Sequence, residues 1–193
     1  VNKKDLVENT IFLYFQNLLN DCLDKTGFLL SDLSKQYLTN LLTTFADPVM
    51  LHEFGTNYNG TTPLVVLYEN ALYKQREERT HAFKRLGDVS LFVSGFLNDS
   101  VITNSLFGYY ADMGKLGYAE ASGVGGHPVY SELSQKFCEV IEILIDVSCM
   151  TTMNNTQTID KLYDRYTYNN MNQLLLKKLT NRGAVPVIIK YRI

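Results

Sequence analysis

The sequence predicts an all-α protein: a single-domain bundle of six or seven helices over residues 1–193, ending in a short extended tail. Three observations predict it. Apolar residues recur at steps of three and four along most of the chain, the spacing that lines one face of a helix. Capping residues, prolines and glycines fall between these stretches, where helices start and stop. One stretch, Pro128 to Met150, is apolar on most of its sides, as a helix at the centre of a bundle must be.

The elements follow in order. In the first segment Val7, Ile11, Tyr14, Leu18 and Cys22 share a face, and Gly27 ends the helix. Ser31 and Asp32 offer capping oxygens for a second helix to about Phe45, which Asp47-Pro48 stops. Gly55 to Thr61 is a loop by composition. Thr62-Pro63 starts a third helix, expected to run to about Arg79. The charged cluster Arg76-Glu-Glu-Arg79 bends that helix or coats it. A fourth helix is expected from about Thr80 to Leu97, although its Val, Ser and Phe content also suits a strand.

A fifth helix spans about Asn104 to Ser122. Gly108, Gly114 and Gly117 each weaken it by about 1 kcal/mol, a cost that close approach of a neighbouring helix offsets. Gly87 and Gly95 on the fourth helix could serve the same contact. Gly123 to Gly126 is a loop, and Pro128 opens the sixth and central helix, expected unbroken to about Met150. Ile159, Leu162, Tyr163 and Tyr166 open a seventh, continuing through Leu174, Leu175 and Leu179 to Gly183. The tail Val185–Ile189 is β-prone and lies extended over the bundle, with addition to a partner's sheet edge as the alternative.

Composition narrows the function. A chain of 193 residues buries roughly 70% of its unfolded surface and needs no metal or disulfide staple. A net charge of −2 gives no reason to expect a polyanion partner. The mildly basic end (Lys177, Lys178, Arg182, Lys190, Arg192) reads as solvated surface, so no nucleic-acid partner is expected. Cys22, Cys138 and Cys149 are scattered, with no CxxC spacing, and read as reduced core thiols of a cytoplasmic protein. Cys138 and Cys149 do not pair along one helix, where eleven residues cover about 16 Å. The apolar run from Val140 to Val147 is interrupted by Glu142 and Asp146, so no membrane span is expected. The start shows no secretory leader and no initiator methionine, so a natural N-terminus lying further upstream is one expectation.

The richest chemistry lies in the stretch from His81 to Phe96. His81, Arg85 and Asp88 stand four and then three residues apart, on one helix face that runs into Leu91, Phe92, Val93 and Phe96. Arg85 and Asp88 are spaced for an intrahelical ion pair. Asp112, beside Tyr109 and Tyr110, can join them from the fifth helix. A polar network buried for structural specificity is the first reading, and a tyrosine-lined ligand site the second. Glu78 and His81 have the i, i+3 spacing of half a carboxylate di-iron motif, but no second half follows. No metal or cofactor is therefore expected. His52-Glu53 lacks the second histidine of a zincin, since position 56 is Thr56. Gly123 to Gly126 lacks the lysine and hydroxyl of a phosphate-binding loop, and no nucleophile elbow is present.

Several of these residues carry a resemblance. Arg85-Leu-Gly-Asp88, Leu91-Phe92, Gly95 to Ser100, Tyr109-Tyr110, Met113-Gly114, Gly117-Tyr118, Phe137 and Gly183-x-x-Pro186 resemble the signature of a bacterial all-helical family without established activity. The likeness covers roughly positions 77 to 190 and implies a bacterial source and a helical fold, with no catalytic residues. Gly87-Asp88 is also similar to the Gly-Asp step of heme oxygenase-like proteins, whose kinked glycine-rich helix lies over the cofactor. Those proteins take an axial histidine from an early helix, whereas the first histidine here, His52, follows the second predicted helix.

The expected role is that of a non-catalytic protein acting through protein–protein binding, with a protein partner or a second copy of itself. The alternative is a small-molecule or cofactor-binding helical protein, an enzyme being one form of it, with its site around His81, Arg85, Asp88, Tyr109 and Asp112.

Overall fold

A computed structural model describes residues 3–46, 64–96, 107–123 and 127–154. Among these the chain forms seven α-helices and one π-helical turn: α1 (Lys3–Thr26), α2 (Asp32–Phe45), α3 (Leu64–Leu72), α4 (Arg76–Leu91), the π turn Phe92–Phe96, α5 (Phe107–Ala121), α6 (Pro128–Gln135) and α7 (Phe137–Asn154). The fold class is all-α, and no strand occurs among the described residues. The expected stop at Asp47-Pro48, the helix start at Thr62-Pro63, the helix from Ile159 to Gly183 and the tail lie outside the described residues.

Local chemistry explains the first two helices. Gly27 adopts φ +67° and closes α1, a left-handed conformation that glycine takes without steric penalty. Thr26 Oγ1 donates to the carbonyls of Cys22 and Leu23 at 2.9 and 3.2 Å, supplying a further donor at the helix end. Ser31 caps α2, its Oγ accepting from the Ser34 amide at 3.2 Å. Of the predicted α1 face, Leu18 and Cys22 are buried and Ile11 and Tyr14 half-buried.

Two expected boundaries move. The third helix ends at Leu72 rather than near Arg79, and α4 begins at Arg76. Glu77 and Glu78 fall in the first turn of α4, where carboxylates interact favourably with the positive end of the helix dipole. The charged cluster is thus a helix start rather than a bend or a coating. Arg76 enters the helix with φ +50°, a strained value for a residue with a side chain. The expected central helix is also two helices, joined at Lys136, where φ is −104° and ψ 22°. Nothing in the local sequence breaks it. Instead Lys136 Nζ reaches the Leu29 carbonyl at 2.8 Å, while the next residue, Phe137, buries its ring against Gly114. The two anchors set the turn between α6 and α7.

The stretch from Val89 to Phe96 is helical, buried through Gly95 and half-buried at Phe96. Its last five residues widen into a π turn. There Ser94 Oγ donates to the Ser90 carbonyl at 2.7 Å, and Ser148 Oγ from α7 donates to the Phe96 carbonyl at 2.8 Å. Phe92 stacks on Phe45 of α2 with ring centres 4.3 Å apart. Val140, Ile141, Leu144 and Val147 of α7 are fully buried, and α7 packs on the π turn and on α1.

The closest helix pair is α4 with α5. A Cβ on Gly117 would stand 2.6 Å from the Gly87 amide nitrogen and 2.8 Å from the Phe83 carbonyl. Both are backbone atoms that cannot swing aside. A Cβ on Gly114 would overlap the Phe137 ring, and one on Gly95 would press on Leu144. Gly108, by contrast, faces open space. The expected use of small residues for the contact between the fourth and fifth helices therefore holds at Gly87 and Gly117; Gly95 and Gly114 instead make room for Leu144 and Phe137 of α7, and Gly108 serves no contact. Gly117→Ala is expected to cost about 3 kcal/mol, as overpacking against rigid neighbours does. Gly108→Ala should stay within about 0.5 kcal/mol of the wild type or gain up to about 1 kcal/mol in helix propensity. Urea denaturation of the two variants measures the contrast.

Candidate functional site

The α4–α5 contact fixes the geometry around Asp88. With no side chain on Gly87, the ring of Tyr118 lies on the α4 backbone, where an added Cβ would meet it at 2.7 Å. Its hydroxyl then donates to Asp88 Oδ1 at 2.8 Å. From α2, the Tyr37 hydroxyl donates to the same oxygen through a short hydrogen bond. Lys84, one turn earlier on α4, donates to Oδ2 at 2.6 Å. Asp88 itself is 3% exposed. A buried carboxylate requires such donors, because its desolvation is otherwise uncompensated.

The surroundings are aromatic. Lys84 Nζ sits 5.3 Å from the centre of the Tyr37 ring, a cation–π position. Tyr130 of α6 stacks on Tyr118 at 6.1 Å and meets the edge of Tyr37 at 5.8 Å. His127 caps α6, its Nδ1 accepting from the Val129 amide at 3.4 Å, and its ring lies 6.1 Å from Tyr130. Burial, reinforced by the Asp88 charge, pushes the Tyr37 and Tyr118 hydroxyls well above the ordinary tyrosine range. Both remain protonated donors at any physiological pH. Burial raises Tyr130 as well, opposed by the nearby Lys84 ammonium. Both carboxylate oxygens accept bonds from the chain's own side chains. The cluster thereby ties α2, α4 and α5 together, with α6 packed alongside.

The residues that gather on Asp88 differ from those the spacing suggested. The ion pair forms with Lys84, four residues back, rather than with Arg85, three residues back. His81, Arg85 and Asp112 are exposed, and Tyr109 is 41% exposed with its ring edge against Tyr110. Glu78 pairs with Lys74 at 3.2 Å on the surface. Ser90 Oγ donates to the Tyr110 carbonyl, so the fifth helix meets this stretch through its backbone too. Lys84 was legible, since the i, i+4 Lys–Asp spacing is visible in the sequence. Tyr37, 51 positions from Asp88, has no local signal to single it out among 13 tyrosines.

A second polar cluster pins α6 to the start of α2. The Glu132 carboxylate accepts from Ser31 Oγ at 2.5 Å, Ser34 Oγ at 2.7 Å, Lys136 Nζ at 2.9 Å and the Ser31 amide at 3.2 Å. Partial burial pushes this carboxyl up, but the hydrogen bonds from Ser31, Lys136 and Ser34 outweigh it and hold it at about 2.

Among the described residues, no group of three His, Cys, Asp or Glu side chains is placed to hold a metal ion. Nor is any helix among them long and apolar enough to cross a membrane. At the Gly87-Asp88 step the Tyr118 ring lies against Gly87. No family model, curated protein or solved structure matches the chain. Fold and site together define an all-α protein with two buried or half-buried carboxylate pins between its helices.

Asp88→Ala is expected to lower stability by about 3–5 kcal/mol, the usual cost of stranding one partner of a buried ion pair. Tyr37→Phe and Tyr118→Phe should each cost about 1.5–3 kcal/mol. A double-mutant cycle on the tyrosines, followed by urea denaturation, should give a coupling above about 0.5 kcal/mol because they share one acceptor oxygen.

Glu132 carries the pH dependence. Its folded pKa of about 2 lies below the ordinary 4.5, so its contribution is complete above 4.5 and fades as the pH falls toward 2. Glu132→Gln should therefore cost about 1–3 kcal/mol at pH 7. Thermal melts between pH 7 and pH 2 should show that difference closing across this window.

Proposed function

We propose that this chain is a non-catalytic helical protein that acts by binding another protein chain, either a distinct partner or a second copy of itself. One observation carries the reading. Val65, Val66, Leu72 and Tyr73, on α3 and the turn after it, are 45%, 39%, 43% and 86% exposed. Four large apolar side chains within nine positions are a concentration that scattered surface residues do not produce, and such patches mark contact surfaces. Leu64, Leu67 and Ala71 of the same helix are buried, so the exposed apolar side chains lie on its outer side, with Glu69 and Asn70 among them. The Asp88 cluster supports the same reading, because its polar groups are engaged with one another.

Sedimentation velocity of the full chain tests this reading. The wild type is expected to self-associate with rising concentration, and Val66→Asp with Leu72→Asp is expected to abolish this while leaving the melting temperature within a few degrees. If the wild type stays monomeric, a photo-crosslinking residue at Tyr73 distinguishes the other form. A discrete cross-linked partner, lost in the double variant, sustains the reading; a monomer without any such product overturns it.

A further inference from the structure

The exposed row on α3 carries a charge at its middle. Glu69 is exposed, with Val65 and Val66 about one turn before it, Leu72 about one turn after, and Tyr73 following in the turn. Two copies of this row docked antiparallel about a two-fold axis would set Glu69 against Glu69, and like charges in a contact are disfavoured. The row instead fits a helix that brings apolar residues around a central cation. The sequence holds such a stretch. Met171, Leu174, Leu175 and Leu179 have the spacing of one helix side, with Lys178 and Arg182 in the middle of it. These positions lie outside the described residues, in the stretch 155–193 that follows α7.

We propose that residues 171–182 dock on the α3 row of their own chain and cover it until a partner displaces them. The inference deepens the reading of that row as a contact surface, and rests on it for the displacement. Charge favours the pairing. Residues 155–193 carry seven Lys or Arg and two Asp, a net charge of +5, against −7 for residues 1–154, which carry 11 Lys or Arg and 18 Asp or Glu. Docked, the stretch sets Lys178 against Glu69 and its leucines against Val65, Val66 and Leu72. Reach allows it. Ser148 Oγ donates to the Phe96 carbonyl, so the end of α7 lies beside the π turn. Lys74 pairs with Glu78, where the chain passes from α3 into α4. The helical run from Arg76 to Phe96 separates these two places by about 30 Å. Residues 155–170 extend to at most about 55 Å, enough to bring Met171 onto α3. A tether of that length holds the stretch at an effective concentration on the order of a millimolar. Weak contacts then suffice to keep it in place, and a tighter-binding partner displaces it.

The test uses the full chain with a photo-crosslinking residue in place of Tyr73, prepared as a mixture of unlabelled and isotope-labelled protein. The monomer fraction is expected to give cross-links from position 73 to residues 171–182, each product wholly light or wholly heavy by mass spectrometry. Lys178→Glu with Arg182→Glu should lower their yield by about fivefold or more, and Glu69→Lys added to that pair should restore it to within about twofold of the starting chain. Glu69 is exposed, so its reversal keeps the fold, and circular dichroism of each variant checks this. Cross-links that fall elsewhere in the chain, that join only light to heavy chains, or that persist undiminished in the charge-reversed pair would each overturn the proposal. Self-association or a discrete partner without any intrachain product at 171–182 overturns it too, and leaves the contact reading standing. Intrachain products at 171–182 in a chain that neither self-associates nor captures a partner sustain the docking and sink the contact reading instead.

Discussion

Gly117 has no side chain, and the backbone of α4 occupies the space where one would be. From that contact the polar arrangement follows. Because α4 and α5 touch along their backbones, Tyr118 is laid flat on Gly87 with its hydroxyl at Asp88. Because Asp88 is buried, it needs further donors, and α2 supplies Tyr37. A steric condition at two glycines thus determines the partners of a charge. The charge in turn locks three helices in one arrangement, since a buried carboxylate is tolerated only where its donors are all in place. Hydrophobic burial around the π turn and α7 supplies bulk stabilisation without such directional demands.

The Glu132 cluster works by the same logic at the start of α2, about one turn before Tyr37. Its carboxylate takes the hydroxyl of the Ser31 cap together with that of Ser34, so capping of one helix and docking of another become one interaction. Both ends of this arrangement depend on side chains distant in sequence. The two clusters also differ. Asp88 is buried and enclosed by aromatic rings, whereas Glu132 keeps some contact with water.

What could be read beforehand is best seen element by element. The end of α1 at Gly27, the cap at Ser31 and the proline entry at Pro128 are local matters, and all three appear where the residues indicate. The start of α4 was misplaced because two acids followed by an arginine can coat a helix as well as open one. The break at Lys136 carried no local sign, since it arises where the Leu29 carbonyl and Gly114 hold adjacent residues. Within the candidate site, Asp88 and the helix-packing glycines stood out in the sequence. Lys84 rather than Arg85 was decided by which side of α4 faces α2.

The sequence by itself determined the all-α class, most helix ends and the need for Asp88 to find partners, because each depends on residues within a few positions of one another. Only the tertiary structure decided that those partners include Tyr37 and Tyr118, and that Val65, Val66 and Leu72 of α3 are exposed. Such pairings join positions tens of residues apart. They depend on the angle and rotation at which one helix meets the next, which packing sets and no local pattern encodes.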